Sequence, residues 1–379
     1  MLAHFGHHLL TALPVPLLPF IRDDFALDYT QSGLVISAFS LSYGIGQLPG
    51  GWLADRIGPR ILITVGICGV AVAGFLVGLS PNYMMLLVFL VLMGVAGGGY
   101  HPSASPLISG AVRAENRGQA LGFHLIGGSG SFFVAPLIAA AIAAAWGWRG
   151  SFIGLAAPTM AFGIIFYVLL GRRAETSTAQ PVAGHLPSET LAVPGRWRRL
   201  VAIIVVNTFA QAVTFAVIAF IPLFLVDHFS IGEETAAAFL AIVYSAGLWA
   251  SPLGGYLSDR LGRVPVILVT CLIAGPVIYL LNLVPYGLGI GALLIIIGMV
   301  MYIRMPASEA YVISQTPERY RSTILGIYYF SSMEAGGLLT PVMGSLIDQL
   351  GFYPSFSIAS VAVVAVTLAC SVFLWGSRD

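Results

Sequence analysis

Apolar residues run through this chain in long stretches separated by short polar loops, and the lengths of those stretches set the expected architecture. A membrane-crossing helix needs about 20 mainly apolar residues. Runs of that kind cover roughly 2–21, 31–54, 61–80, 82–111, 117–145 and 149–171 in the first half. The second half supplies roughly 200–226, 235–257, 264–284, 287–315, 321–347 and 352–375. The pattern predicts an all-α membrane protein with twelve transmembrane helices in two pseudo-symmetric six-helix bundles, 1–171 and 199–379. Residues 172–198 are the long polar stretch and are expected to link the bundles. The first run has no Arg or Lys before it, and Pro14, Pro16 and Pro19 interrupt it. It therefore reads as a first transmembrane helix rather than a cleaved leader.

One stretch occurs twice. Gly50-Gly51-Trp52-Leu53-Ala54-Asp55-Arg56-Ile57-Gly58-Pro59-Arg60 joins the second and third runs. Gly254-Gly255-Tyr256-Leu257-Ser258-Asp259-Arg260-Leu261-Gly262 joins the eighth and ninth. Asp55 and Asp259 are 204 positions apart, as are Arg56 and Arg260, Gly58 and Gly262, Pro102 and Pro306, Arg117 and Arg321, and Gly122 and Gly326. In each copy small glycines allow two helices to approach. The Asp-Arg pair can engage a neighbouring helix end, and the following glycine turns the chain. Gly51, Asp55, Arg56, Gly58 and Arg60, with Gly255, Asp259, Arg260, Gly262, Arg117 and Arg321, are therefore candidates for gating.

Composition agrees with a lipid solvent. Of 379 residues, 58% are apolar and only 9% charged, against roughly 25% charged in soluble domains. The net charge of +1 argues against a nucleic-acid partner. Lysine is absent, so neither a P-loop lysine nor a lysine Schiff base is available. Cys68, Cys271 and Cys370 all lie in apolar runs without a Cys-x-x-Cys spacing, and read as small core residues. Fourteen of the 17 arginines fall in loops on one side, whereas Arg22 and Arg149 fall on the other. By the positive-inside rule both termini and the linker are expected to be cytoplasmic.

The paired G-x-x-x-D-R-x-G motifs resemble the signature of the major facilitator superfamily of secondary transporters. A second resemblance lies in His101-Pro102 followed by small residues on the fourth helix, with Ala3-His4-Phe5 opening the first. This is similar to the fosmidomycin-resistance branch of that superfamily, although Pro106 and His7-His8 stand where the branch carries Arg and Asn-Asp. Gly127-Gly128-Ser129-Gly130, followed by Pro136, resembles the glycine-rich fifth-helix motif of its antiporters. These glycines are expected to pack closely on a neighbouring helix. The resemblances imply transport by alternating access, and the last of them implies export.

Ionisable residues at membrane depth are expensive and are functional candidates by default. At about 1.5 Å per residue, Arg304 lies roughly 22 Å inside Arg319, close to the mid-membrane. A guanidinium there must meet water, a carboxylate or an anionic ligand. Glu309, Glu334 and His124 are the candidates for proton coupling. Tyr100, His101, His8, Asn207, Gln211 and Arg304 are the candidates for substrate binding. His4, His7 and His8 share a face of the first helix at i, i+3, i+4 spacing. Three His with no carboxylate on one helix read as proton-linked or substrate-facing, and no metal or other cofactor is expected.

The expectation is a multi-pass inner-membrane protein that is not an enzyme. It would be monomeric and would work as a proton-coupled efflux antiporter for a small organic molecule. An importer or uniporter for an organic anion or sugar derivative is the alternative.

Overall fold

Prolines decide where the first crossing breaks. In the computed structural model, which describes residues 1–113, 117–174, 195–316 and 321–374, that crossing is two helices: α1 (Leu2–Thr11) and α2 (Leu18–Phe25). This corrects the single helix expected over 2–21. Pro14 and Pro16 have no amide to donate and clash with the preceding turn. The chain crosses the gap on tighter i→i−3 bonds, Leu13 N to Leu10 O at 3.1 Å and Leu18 N to Val15 O at 3.2 Å. Pro19 then sits in the first turn of α2, where a missing amide costs nothing.

The remaining crossings follow the apolar runs. They are α3 (Tyr29–Ile57), α4 (Pro59–Gly78), α5 (Tyr83–Gly98) continued by α6 (Tyr100–Gly110), and α7 (Arg117–Ala174). The second half holds α8 (Arg196–Phe229), α9 (Glu233–Ser245), α10 (Ala250–Leu261), α11 (Arg263–Leu280), α12 (Leu288–Gln315), α13 (Arg321–Leu350) and α14 (Phe352–Leu374). Helix α7 is two crossings hinged at Gly147, whose φ of 72° suits a residue without Cβ. Helices α9 and α10 form one crossing bent by 41°. The result is the all-α fold of twelve membrane crossings in two six-helix bundles. Of the expected linker, 172–198, residues 175–194 fall outside the described residues. So do the side chains of Gly51, Asp55, Arg117, Arg321 and Glu334.

The repeat is visible in the backbone. Gly58 and Gly262 adopt nearly the same left-handed turn, φ 89° with ψ 145° and φ 89° with ψ 148°. Gly50 faces Gly99 on the fourth crossing, and Gly254 faces Ile303 on the tenth. Both members of that contact are shifted by the same 204 positions, so one interhelical contact is built twice. A Cβ on Gly50 would lie 2.9 Å from the Gly99 Cα, so the helices can come this close only through glycine.

Polar bonds join the halves at the arginine-poor end. Arg22 pairs with Asp227, and the Tyr29 hydroxyl donates to Asp227 at 2.7 Å. Asp348 of α13 accepts from the Tyr29 and Thr30 amides at 2.9 Å each and from the Thr30 hydroxyl at 2.5 Å. A little deeper, Thr340 Oγ1 donates to the Gly33 carbonyl at 3.2 Å. Glu233 of α9 bonds Asp23 of α2. Burial, that bond and the Asp23 charge push the Glu233 carboxyl up to about 7, with Arg22 opposing.

Candidate functional site

The second half buries one cation completely. Arg304 on α12 is 0% exposed. Its Nη2 donates to Gln211 Oε1 on α8, and its Nη1 faces the Cys271 sulfur on α11 at 3.8 Å. Its Nε is buried with no hydrogen-bond partner. Among the described residues no carboxylate lies in salt-bridge range of Arg304, and the Glu334 side chain is not among them. The guanidinium is thus held by neutral groups, with a donor to spare. A fully buried charge in that state is stable only if a counter-charge reaches it. Two residues further on, Pro306 withholds an amide from the Tyr302 carbonyl, which loosens α12 beside the charge.

The first half buries imidazoles instead. His4, His7 and His8 of α1 are 4%, 0% and 8% exposed, and His124 of α7 is 4% exposed. His101 of α6 is half-buried. The His4 ring stacks on His124 at 4.1 Å and meets His101 edge-on at 5.1 Å. His7 stacks on Tyr100 at 4.2 Å, and its Nε2 bonds the Tyr43 hydroxyl at 2.9 Å. Its Nδ1 donates to the Gly66 carbonyl at 3.2 Å. A carbonyl can only accept, so neutral His7 carries its proton on Nδ1 and accepts the Tyr43 O–H hydrogen bond on Nε2. His8 Nδ1 bonds the Thr11 hydroxyl at 2.9 Å, and His4 Nδ1 donates to the His124 carbonyl at 2.8 Å.

These two places are the same slot in the two repeats. The 204-residue offset carries Tyr100 onto Arg304 and His7 onto Gln211. Tyr100 and Arg304 are both 0% exposed. Tyr100 meets His7 through stacked rings, whereas Arg304 meets Gln211 through a hydrogen bond. The offset also carries Ile67, which packs with Tyr100, onto Cys271. Tyr43, Thr11 and Cys271 had not been singled out from sequence. The offset pairs Ile67 on the third crossing with Cys271 on the ninth, but the sequence does not show that these residues face Tyr100 and Arg304.

The remaining candidates are placed as follows. Asn207 is buried on α8 and donates to the Tyr328 hydroxyl at 3.3 Å, which also bonds Ser308 at 2.6 Å. Glu309 is half-buried on α12. Gly127 lies against the Met1 backbone, Gly128 lies against the His4 ring, and Gly130 is near Phe5. Pro136 is buried inside α7. At the arginine-rich end the Arg56 guanidinium covers the Trp52 ring at 4.0 Å. Arg60 covers the Tyr167 ring at 4.0 Å and donates to its carbonyl at 3.0 Å. Arg260 covers Tyr256 at 4.9 Å, and Asp259 is exposed.

Comparison with known proteins agrees with this architecture. The family model described as Major Facilitator Superfamily matches residues 1–341 and 203–379. The chain is 26% identical over 382 residues to a probable sulfoacetate transporter, SauU, of Cupriavidus necator, covering 94% of this chain and 87% of that protein. It is also 26% identical over 364 residues to the multidrug resistance protein MdtG of Proteus mirabilis, covering 93% and 89%. Among solved structures it is similar to an inward-facing, unoccupied bacterial homolog of the human lysosomal transporter Spinster. That likeness has a TM-score of 0.77 at 19% identity and covers 98% of this chain and 94% of the other.

Proposed function

We propose, from the premise that this chain belongs to the Major Facilitator Superfamily, that it is a proton-coupled secondary transporter exporting a small organic anion by alternating access. Arg304 carries the reading. It is a permanent cation at mid-membrane depth, fully buried, held by Gln211 and Cys271 and left with an unpartnered Nε. An anionic carboxylate, sulfonate or phosphate supplies the counter-charge that this cation lacks among the described residues. Gln211 orients the guanidinium, and Tyr100, His101 and His8 are the residues by which the other half would contribute to binding.

The transport cycle follows from where the halves are joined. Arg22–Asp227 and the Asp348 contacts seal the arginine-poor end, which is the outer end if the positive-inside rule holds. Cargo then meets Arg304 from the cytoplasmic side. Closing that side would engage the Asp55–Arg56 and Asp259–Arg260 loops and break the Asp227 and Asp348 bonds. The carboxyls of Glu309 and Glu334 are the proton carriers, since an acid in a dry site can exchange a proton near neutral pH. Export is supported by the glycine-rich stretch at Gly127–Gly130 and by the likeness to MdtG. The likeness to a sulfoacetate transporter supports an anionic cargo and is equally compatible with import.

Proteoliposomes test this. Exchange of labelled organic acids should accelerate with an imposed pH gradient and vanish in Arg304→Ala. Equal exchange with and without the gradient removes the proton coupling. Undiminished exchange in Arg304→Ala removes the anion assignment.

A further inference from the structure

We propose that His4, His8 and His101 form a three-imidazole site for a divalent transition-metal ion such as Zn2+, Co2+ or Ni2+. Sequence alone argues against it, because three His on a single helix make a thin ligand set. The fold changes that set: His7 turns away to Tyr43 and Gly66, and His101 arrives from α6 in its place. One ring nitrogen from each of His4, His8 and His101 then lies within 4.8 Å of the other two. Tetrahedral Zn–N bonds of about 2.1 Å bring ligand nitrogens to roughly 3.4 Å from one another. Small rotations about the side-chain bonds cover that difference.

The hydrogen bonds around the set prepare it for a metal. His4 Nδ1 donates to the His124 carbonyl at 2.8 Å, which leaves the lone pair on Nε2. That Nε2 is buried and has no partner. A buried acceptor without a donor is costly, and a cation would satisfy it. A ring N–H bonded to a backbone carbonyl is also the usual support behind a metal-ligating imidazole. His8 has similar support, its Nδ1 bonding the Thr11 hydroxyl at 2.9 Å. Among the described residues no hydrogen bond joins two of the imidazoles, although His4, His8 and His101 have ring centroids 4.8, 5.1 and 5.4 Å apart. Close rings without mutual hydrogen bonds are what a shared ion would require.

The donor set selects the class of ion. Neutral nitrogen ligands suit zinc, cobalt, nickel and copper, whereas calcium and magnesium require oxygen. His124 stacked on His4, and Gly128 against that ring, hold the first ligand in place. His101 is half-buried, which gives the ion a way in. Three protein ligands leave one tetrahedral position for a water or an anion. The inference shares His8 and His101 with the transport reading, but it is tested by metal binding alone.

Full-length protein in detergent, purified on a tag without histidine and stripped with chelator, is titrated with Co2+. One Co2+ per chain is expected, with the intense visible bands of a four- or five-coordinate ion, and Zn2+ should displace it. His101→Gln and His4→Ala should each weaken binding by more than about a hundredfold, beyond the loss typical of a supporting residue. His228→Ala, on an exposed His bonded to Tyr353, should bind as the wild type does. The proposal is overturned if the wild type retains no ion, if its Co2+ spectrum is that of the hexaaqua ion, or if His101→Gln binds unchanged. Should His4→Ala not fold, the wild-type stoichiometry and spectrum still decide.

Discussion

Tyr100 and Arg304 occupy one slot in two copies of the same bundle, yet one is a ring among imidazoles and the other a cation whose described partners are neutral. The backbone around them is repeated closely enough that Gly50–Gly99 and Gly254–Ile303 are the same contact. What diverged is the chemistry placed on it. The first half gathers neutral ring nitrogens there, and the second half a permanent guanidinium charge. A duplicated fold thereby carries two unlike sets of side chains at one repeated position.

The largest effect is expected where the asymmetry is sharpest. Arg304→Ala should weaken binding of an organic anion by about 2–3 kcal/mol, on the order of a hundredfold, as for loss of a charged hydrogen-bonding partner. Arg304→Lys should recover little of it, because a single ammonium does not reproduce the planar fork. Isothermal titration with carboxylates and sulfonates reads both. If the lysine variant binds as the wild type does, the geometry of the guanidinium is irrelevant.

On the imidazole side, Gly128→Ala tests whether the fifth crossing holds His4 in place. Its Cβ would fall 2.6 Å from His4 Cε1, so the ring must move. Overpacking of this kind costs about 1–3 kcal/mol. Gly154→Ala, with nothing within 4 Å, is the comparison and should stay within about 0.5 kcal/mol. Thermal denaturation in one detergent separates them, and equal melting temperatures would refute the contact.

A smaller change is expected for Tyr43→Phe, which removes the donor to His7 Nε2. Side-chain hydrogen bonds inside membranes average about 0.6 kcal/mol, so a loss near that size is expected in a reversible unfolding assay. A loss above about 3 kcal/mol would mean that Tyr43 supports more than His7.

The smallest effect is a pH dependence at the sealed end. The Glu233 carboxyl is raised to about 7, so its protonated form is the one that the closed arrangement favours. Its contribution is therefore complete below the ordinary carboxylate range and is lost as pH rises through about 7. Above that, Glu233 and Asp23 are two negative charges on opposite halves, with Glu234 nearby and only Arg22 offsetting them. Spin labels on α2 and α9 should move apart between about pH 6 and 8. In Glu233→Gln that response should flatten, and an unchanged response would assign the titration to another group.

Much of the fold was legible in the chain because lipid leaves few solutions for an apolar run of given length. The crossings came from those lengths, and the repeat came from the 204-residue offset between two charged turns. What stayed hidden depended on neighbours that are distant in sequence. Pro14 and Pro16 were visible, but whether prolines bend a helix or end it is decided by what packs around the gap. Arg304 stood out because charge is rare at that depth. Gln211 was a candidate too, but its bond to Arg304 and the place of Cys271 beside it could not be read, since neutral residues on other helices carry no mark of what they face. His101 could be named, but a pattern along one helix does not show which faces of two helices meet. That is why three His on α1 look unlike a ligand set until α6 supplies another.

One end of α3 is completed by the opposite bundle. Asp28 caps the Gln31 amide within its own half, at 2.7 Å, while Asp348 takes the amides of Tyr29 and Thr30 from the other half. Whenever the bundles part there, two amides at the positive end of a helix dipole become open to solvent. Parting the bundles there breaks the three hydrogen bonds that Asp348 accepts and leaves its carboxylate and both amides to be solvated at once, so this end holds together or opens as one unit.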